Sequence, residues 1–318
     1  MPYAAMLLVV VFWGSAASVG RGMGDAGTAL GLATWRVGLG LALLIVALAA
    51  SAAWRRVVGT TEVAPSSPAW PLSKRHVPIW LGGMLGYGIM IWLFFEAART
   101  TLSSHLVLIL SLAPICTMLL DRMSGGQGDN RSFMPATLSL AGIVIMIAPS
   151  LFSSASNGAG ASFGGDVMAL LALLSFSAFT VLTKRYKRGL SALAVNVHGM
   201  SAGLALLLAL FVLTEGRLLP PAFSTREDWL AMGYLGLAST GLAYLLYAWA
   251  LSRMTMERVM PLIYLQPLVG VLLSVIWLGE ELTLSVLLGM CGILGGLLWN
   301  HRYTSKQINP ITRRNTNE

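Results

Sequence analysis

The stretch Thr28–Ala53, TALGLATWRVGLGLALLIVALAASAA, holds one ionisable side chain, Arg36, among apolar, small and hydroxyl residues. It has no charged face of the kind a helix on a soluble core turns to water. The hydrocarbon slab of a bilayer is about 30 Å thick and is crossed by about 20 apolar residues rising 1.5 Å each. The stretch therefore reads as a transmembrane helix. The rest of the chain agrees: of 318 residues, 56% are hydrophobic and 11% charged, with a mean hydropathy of +0.74. A soluble domain carries about 25% charged residues, so this chain lacks the polar surface to cover a water-soluble core. Cytosolic enzymes, disordered chains and collagen-like fibres are excluded, and the fold class is an all-α integral membrane protein. Cys116 and Cys291 both lie in apolar runs, which leaves no disulfide framework or metal-binding CxxC.

Outward from this stretch, ten spans are predicted: Tyr3–Gly20, Thr28–Ala53, Val77–Ala98, Ser103–Leu120, Phe133–Pro149, Val167–Thr183, Leu190–Thr214, Trp229–Ser252, Val259–Leu278 and Leu282–Trp299. No Lys or Arg precedes the first apolar run, so it reads as a retained helix and not as a signal peptide. With the N-terminus inside, 16 of the 21 basic residues fall in the inner segments, four in the outer ones, and Arg36 alone lies within a span. Basic residues concentrate on cytoplasmic loops, which places both termini in the cytoplasm, in a multi-pass protein of a bacterial inner membrane. The excess charge of +8 is thereby an orientation signal. It is not a nucleic-acid footprint, which needs a basic soluble face.

A shift of 163 positions lays Gly40–Leu44 on Gly203–Leu207 and Trp13 on Phe176. A shift of 153 lays Leu112-Ala113-Pro114 on Leu265-Gln266-Pro267, and one of 150 lays Gly142 on Gly292. The drift comes from a longer loop, Trp54–His76, in the first half. The shared order along five helices points to duplication: a first repeat at 1–150, a Gly- and Ser-rich linker at 151–165, a second repeat at 166–300, and a polar basic tail at 301–318 that is expected to be disordered. Five is odd, so the second copy enters from the opposite face. Inverted repeats suit secondary transporters, in which exchange of conformation between similar halves moves the open side across the membrane.

Phe12-Trp13-Gly14-Ser15, Arg36, the run Gly233–Tyr244, and Leu265-Gln266-Pro267 through Leu278-Gly279-Glu280 to Gly289 resemble the EamA-type transporters of the drug/metabolite transporter superfamily. The resemblance covers nearly the whole chain. The first copy departs from it, since the step that leads from Pro267 to Glu280 leads from Pro114 to Gln127. It implies a ten-helix carrier of small metabolites, with helices 1–4 and 6–9 around a central cavity and 5 and 10 outside, and export of amino acids or related compounds as a common activity.

An ionisable group within a span costs about 2.5–3.5 kcal/mol on insertion scales and calls for a reason. Arg36 lies about 12 Å along the axis from Thr28. It reads either as the partner of a substrate carboxylate or phosphate, or as one half of a buried ion pair. Glu96 and His105 flank the turn between spans 3 and 4, and with His198 in span 7 they are the candidates for proton coupling. Pro114 and Pro267 are mid-span and repeat-related; each removes an N–H and frees a carbonyl, which lining a wet cavity would satisfy. Ser111 and Tyr264, three residues before them, share their faces, and Gln266 adjoins Pro267. Trp13, Ser15, Tyr87, Asn196 and Tyr244 complete the candidate substrate set, with Ser239 and Thr240 as weaker members. Gly82 with Gly86, and Gly292 with Gly296, read as helix contacts.

The function these features predict is export of a small polar metabolite by alternating access, coupled to protons, with the bilayer and the substrate as partners. A homodimer is compatible with it, and no cofactor and no catalytic residue are expected. An organellar-type nucleotide-sugar or phosphate carrier is the nearest alternative, and a non-transporting scaffold or sensor the next. An intramembrane enzyme is disfavoured because His198 has no nucleophile or metal ligand at useful spacing.

Overall fold

A computed structural model describes residues 2–58, 77–125, 133–152, 161–186, 190–251, 253–254, 259 and 262–314. They are mostly helical, with no strand among them. In chain order the helices are α1 (Pro2–Gly22), α2 (Ala29–Val58), α3 (Val77–Thr100), α4 (Ser103–Leu110), α5 (Ala113–Met123), α6 (Phe133–Phe152), α7 (Phe163–Tyr186), α8 (Ala192–Glu215), α9 (Arg226–Ala250), α10 (Gln266–Leu278) and α11 (Leu284–Arg314). Most of the loop after the second expected span, most of the expected linker and the last four residues lie outside the described residues.

Length and hydropathy let α1, Ala29–Ala50 of α2, α3, α7, α8 and α9 cross a membrane, and α4 with α5 adds a seventh crossing if the bent pair is one span. The apolar parts of the remaining helices, Thr137–Pro149, Gln266–Leu278 and Leu284–Trp299, are shorter. Large aliphatic side chains such as Val46, Leu213 and Ile276 are exposed on the outside of the bundle. An apolar outer surface of this kind is what a lipid environment accepts and water does not.

Sequence chemistry sets the helix ends. Ser191 and Thr225 accept from the backbone N–H groups of Ala194 and Asp228, as N-caps do. Gly216 and Gly279 close α8 and α10 at φ of +66°, a conformation only glycine adopts without strain. Pro114 and Pro267 each occupy the first turn of a helix, α5 and α10. This differs from a kink in a continuous span. The chain breaks before each proline, which then sits where its missing N–H has no helical acceptor to lose. The break between α4 and α5 bends the pair by 42°.

Small residues let the helices approach. A Cβ on Gly203 of α8 would lie 2.9 Å from the backbone nitrogen of Gly88 on α3, and Gly83 faces Gly199 across the same seam. Gly82 and Gly86 meet Phe179 of α7, and Gly292 of α11 meets Gly142 of α6, so these three glycines serve helix contacts. Two π-helical stretches interrupt the regular winding, Met84–Ile89 in α3 and Tyr234–Leu242 in α9. They begin 150 residues apart, the offset that relates Gly142 to Gly292. α6 and α11 pack chiefly on each other, with Ser139 Oγ donating to Ile293 O at 3.2 Å. The tail departs from the disordered expectation: α11 continues as helix to Arg314, through Pro310.

Candidate functional site

α1, α2, α3, α8 and α9 converge on the buried middle of the bundle. Arg36 of α2 is 8% exposed. Its Nε donates to Thr240 Oγ1 of α9 at 3.1 Å, and its guanidinium carbon stands 4.8 Å from the ring centre of Phe94 and 5.9 Å from that of Phe95. Thr240 is oriented in turn, because its hydroxyl donates to Leu235 O, five residues back in the π-helical stretch. Among the described residues, no carboxylate lies within ion-pair distance of Arg36. Of the two expectations for Arg36, the buried ion pair is therefore not what the described residues form. A desolvated cation–π contact is worth about 2 kcal/mol and one hydrogen bond from a charged donor about 1.5–3 kcal/mol. These hold the guanidinium in place but leave its charge unneutralised, in a position suited to an anion.

Next to Arg36 lies an aromatic and amide cluster. Tyr87, 1% exposed on α3, donates its hydroxyl to Asn196 Oδ1 of α8 at 2.8 Å. Its ring is edge-on to Tyr244, with centroids 5.7 Å apart, and to Phe179 at 5.0 Å. Trp13 packs on Tyr244 at 5.6 Å and Tyr247 at 5.3 Å, while its Nε1 donates to Ser239 O at 3.1 Å. Ser239 Oγ donates to Phe12 O at 2.9 Å, and Ser15 shares a 2.6 Å hydrogen bond with Tyr234. Trp13, Ser15, Tyr87, Asn196, Tyr244 and Arg36 are thus brought into one neighbourhood by residues up to 227 positions apart.

The other expected residues fall elsewhere. Gln266 has its carbonyl against Gly14 of α1. Pro267 and Tyr264 are buried at the start of α10 and in the turn before it. Ser111 caps the end of α4, donating to Leu108 O at 2.7 Å. His198 is buried on α8, two residues past Asn196 and so turned about 200° from it. Glu96 accepts from Trp92 Nε1 at 3.1 Å, one turn back on its own helix, and does not meet His105. His105 is instead paired with Asp166 of α7, with Nδ1 3.1 Å from Oδ1.

That pair belongs to a second cluster, which the sequence reading missed. Thr101 Oγ1 donates to Asp166 at 2.6 Å. Glu280, after α10, accepts from the backbone N–H groups of Ser103 and Ser104 at 2.6 and 3.0 Å and from the Ser104 hydroxyl at 2.8 Å. A carboxylate at these donors also meets the positive end of the α4 dipole. Arg21 at the end of α1 lies 3.8 Å from Glu280 and donates to Thr101 O. At the opposite end, Asp121 of α5 accepts from Lys184 at 2.7 Å and from Arg185 at 2.8 and 3.1 Å. Glu280 was legible as part of the stretch that carries the family resemblance but without a partner, Asp166 only as an acid bordering an apolar run, and Lys184 and Arg185 only as orientation signals.

A groove of about 730 Å³ between α1 and α9, lined by Ala4, Ala5, Leu8, Leu245, Leu246 and Trp249, is apolar and offers a polar solute almost nothing to bind. The polar chemistry is at Arg36.

Residues 163–301 match the EamA-like transporter family. Over this stretch, somewhat under half of its length, the chain is similar to EamA-like transporters. The resemblance to EamA-type transporters is borne out, and the bilayer is this protein's setting. Over nearly its full length the chain is similar to an uncharacterized transporter of Bacillus subtilis, YwfM, at 27% identity over 92% of this chain and 91% of that protein. An uncharacterized transporter of Archaeoglobus fulgidus is 24% identical over 64% of this chain and 69% of its own length. A solved crystal structure shares the fold of this chain, with a TM-score of 0.62 over 95% of this chain and 98% of the other, at 18% identity.

Proposed function

We propose that this protein is an EamA-type secondary transporter that exports a small polar metabolite bearing a carboxylate, such as an amino acid, by alternating access. The observation that carries the reading is the buried guanidinium of Arg36, which has no acidic partner among the described residues and stands beside Tyr87, Asn196, Tyr244 and Trp13. A substrate carboxylate would supply the missing charge at Arg36, and the aromatic and amide groups would take the rest of the molecule. A nucleotide-sugar or phosphate carrier would need further cations at the same depth, and Arg36 is the one basic residue of the predicted spans.

In this reading the bent α4–α5 pair and the three shorter apolar helices also cross the membrane, giving ten spans in two inverted repeats. The repeat offsets, the paired π-helical stretches and the paired breaks before Pro114 and Pro267 support it. Both termini face the cytoplasm of a bacterial inner membrane, an orientation that the distribution of Lys and Arg supports, and transport needs no catalytic group.

Flux of a panel of amino acids, amines and nucleosides into sealed proteoliposomes tests the function. Saturable flux of a carboxylate-bearing member is expected. Hydrogen bonds to charged groups are worth about 1.5–3 kcal/mol, so Arg36→Ala should lower that flux about tenfold or more. Absence of saturable flux across the panel would end the transporter reading; flux untouched by Arg36→Ala would end the role of Arg36.

A further inference from the structure

The apolar groove between α1 and α9 takes no part in the chemistry at Arg36. Ala4, Ala5 and Leu8 line it from α1, and Leu245, Leu246 and Trp249 from α9. On each helix these are positions i, i+1 and i+4, which share a face. The two helices are antiparallel, because Met6 packs with Ala250 while Phe12 meets Ser239. Ala4 and Ala5 therefore lie at the level of Trp249. Two methyl groups stand there where larger side chains would close the space, and the groove holds about 730 Å³.

One end of this apolar groove carries a cation. Arg253 follows α9 in a turn closed by its own N–H, which donates to Ala250 O at 2.9 Å. Its neighbour Met254 is buried with Met6 and Ala250, so the turn is tied to α1. The Arg253 guanidinium carbon stands 4.5 Å from the ring centre of Trp249, a wall of the groove. Arg253 is exposed, and among the described residues no carboxylate lies within ion-pair distance of it. The cation–π contact fixes the guanidinium over the tryptophan and leaves its hydrogen-bond donors for an anion. A tryptophan beside an arginine at the end of a span is also the usual furniture of the bilayer interface.

The ligand that fits is an amphiphile with a long apolar chain and an anionic head. A free anion gains nothing from six apolar side chains, and an uncharged apolar solute gains nothing from Arg253. We propose that the groove is a binding site for one anionic phospholipid, with its phosphate at Arg253 and an acyl chain between α1 and α9. The lipid bridges the two halves of the chain, on helices that also carry Trp13 and Thr240. The inference rests on the bilayer setting and stands without the reading of Arg36, since lipid binding is measured with no substrate present.

The test is native mass spectrometry of the purified, delipidated protein given equal amounts of phosphatidylglycerol and phosphatidylcholine with the same acyl chains. One Arg near anionic lipid favours it by about fivefold. The first lipid adduct should be mainly phosphatidylglycerol, and Arg253→Ala should lower the ratio of the two adducts about fivefold, while Arg253→Lys should keep most of it. The ratio is read within one sample, so a partly unfolded variant cannot mimic the change. Ala4→Trp places a large side chain at an exposed position of α1 and fills the groove. It should lower the first adduct of both lipids with Arg253 still present. Glycerol phosphate, the head without its chains, should not displace the lipid at equal concentration. A ratio near one in the parent, a preference that survives Arg253→Ala, or undiminished binding in Ala4→Trp overturns the proposal. So does displacement by glycerol phosphate, which would mark a soluble-anion site, or a lipid-free dimer, which would mean that a second copy covers the groove.

Discussion

Arg36 shows what one side chain in a span reveals before and after its neighbours are known. Its depth is plain from an apolar run with a single charge, but its partner depends on Phe94, Phe95 and Thr240, up to 204 positions away. Tyr87 and Asn196 were legible as separate members of the candidate substrate set, and the fold joins them. Tyr87→Phe should destabilise the detergent-solubilised protein by about 1–3 kcal/mol, the cost of leaving a buried acceptor unpaired, read as a lowered melting temperature. An unchanged melting temperature would mean that water already serves Asn196. Glu96 and His105 illustrate the opposite failure. Both lie close to one turn in sequence, yet Glu96 turns to Trp92 on its own helix, and His105 takes a carboxylate 61 residues away. No local spacing encodes a contact of that kind.

At the scale of elements, the apolar runs were readable because hydrocarbon demands them. The ends and breaks were less so. Pro114 and Pro267 were visible as interruptions, but whether a proline bends a helix or starts a new one depends on the turn before it, and here each starts one. The π-helical stretches leave no mark in the pattern of apolar residues, yet the one in α9 aims Thr240 at Arg36. The glycine pairs were legible as helix contacts, and the pairing of α6 with α11 gives a sharp test. A Cβ on Gly142 would sit 2.7 Å from Gly289 O and 2.9 Å from Ile293 N, backbone atoms that cannot swing away. Gly142→Leu should cost about 1–3 kcal/mol through overpacking, again as a fall in melting temperature. The pair lies away from Arg36, so transport per folded molecule should be retained. A fully stable Gly142→Leu protein would contradict the packing of α6 on α11.

For the whole molecule, scarcity of charge is the organising fact. Twenty of 21 basic residues lie outside the predicted spans, and the fold uses several of them, and the acids near them, to tie helices at the two ends. Lys184 and Arg185 bind Asp121 at one end, and Arg21, Asp166 and Glu280 gather at the other. Between them Arg36 has no carboxylate partner among the described residues, and in the proposed function an anionic substrate supplies it. The most direct measurement is thermal stabilisation of the purified protein by matched pairs of small molecules, each a carboxylate and its carboxamide, in the parent and in Arg36→Ala. A ligand that binds the folded state at about 100 times its Kd adds about 2.7 kcal/mol of stability. A carboxylate is predicted to raise the melting temperature of the parent, its carboxamide to do so far less, and neither to stabilise Arg36→Ala. Equal stabilisation by both members of a pair, or stabilisation by the carboxylate that persists in Arg36→Ala, would contradict the account.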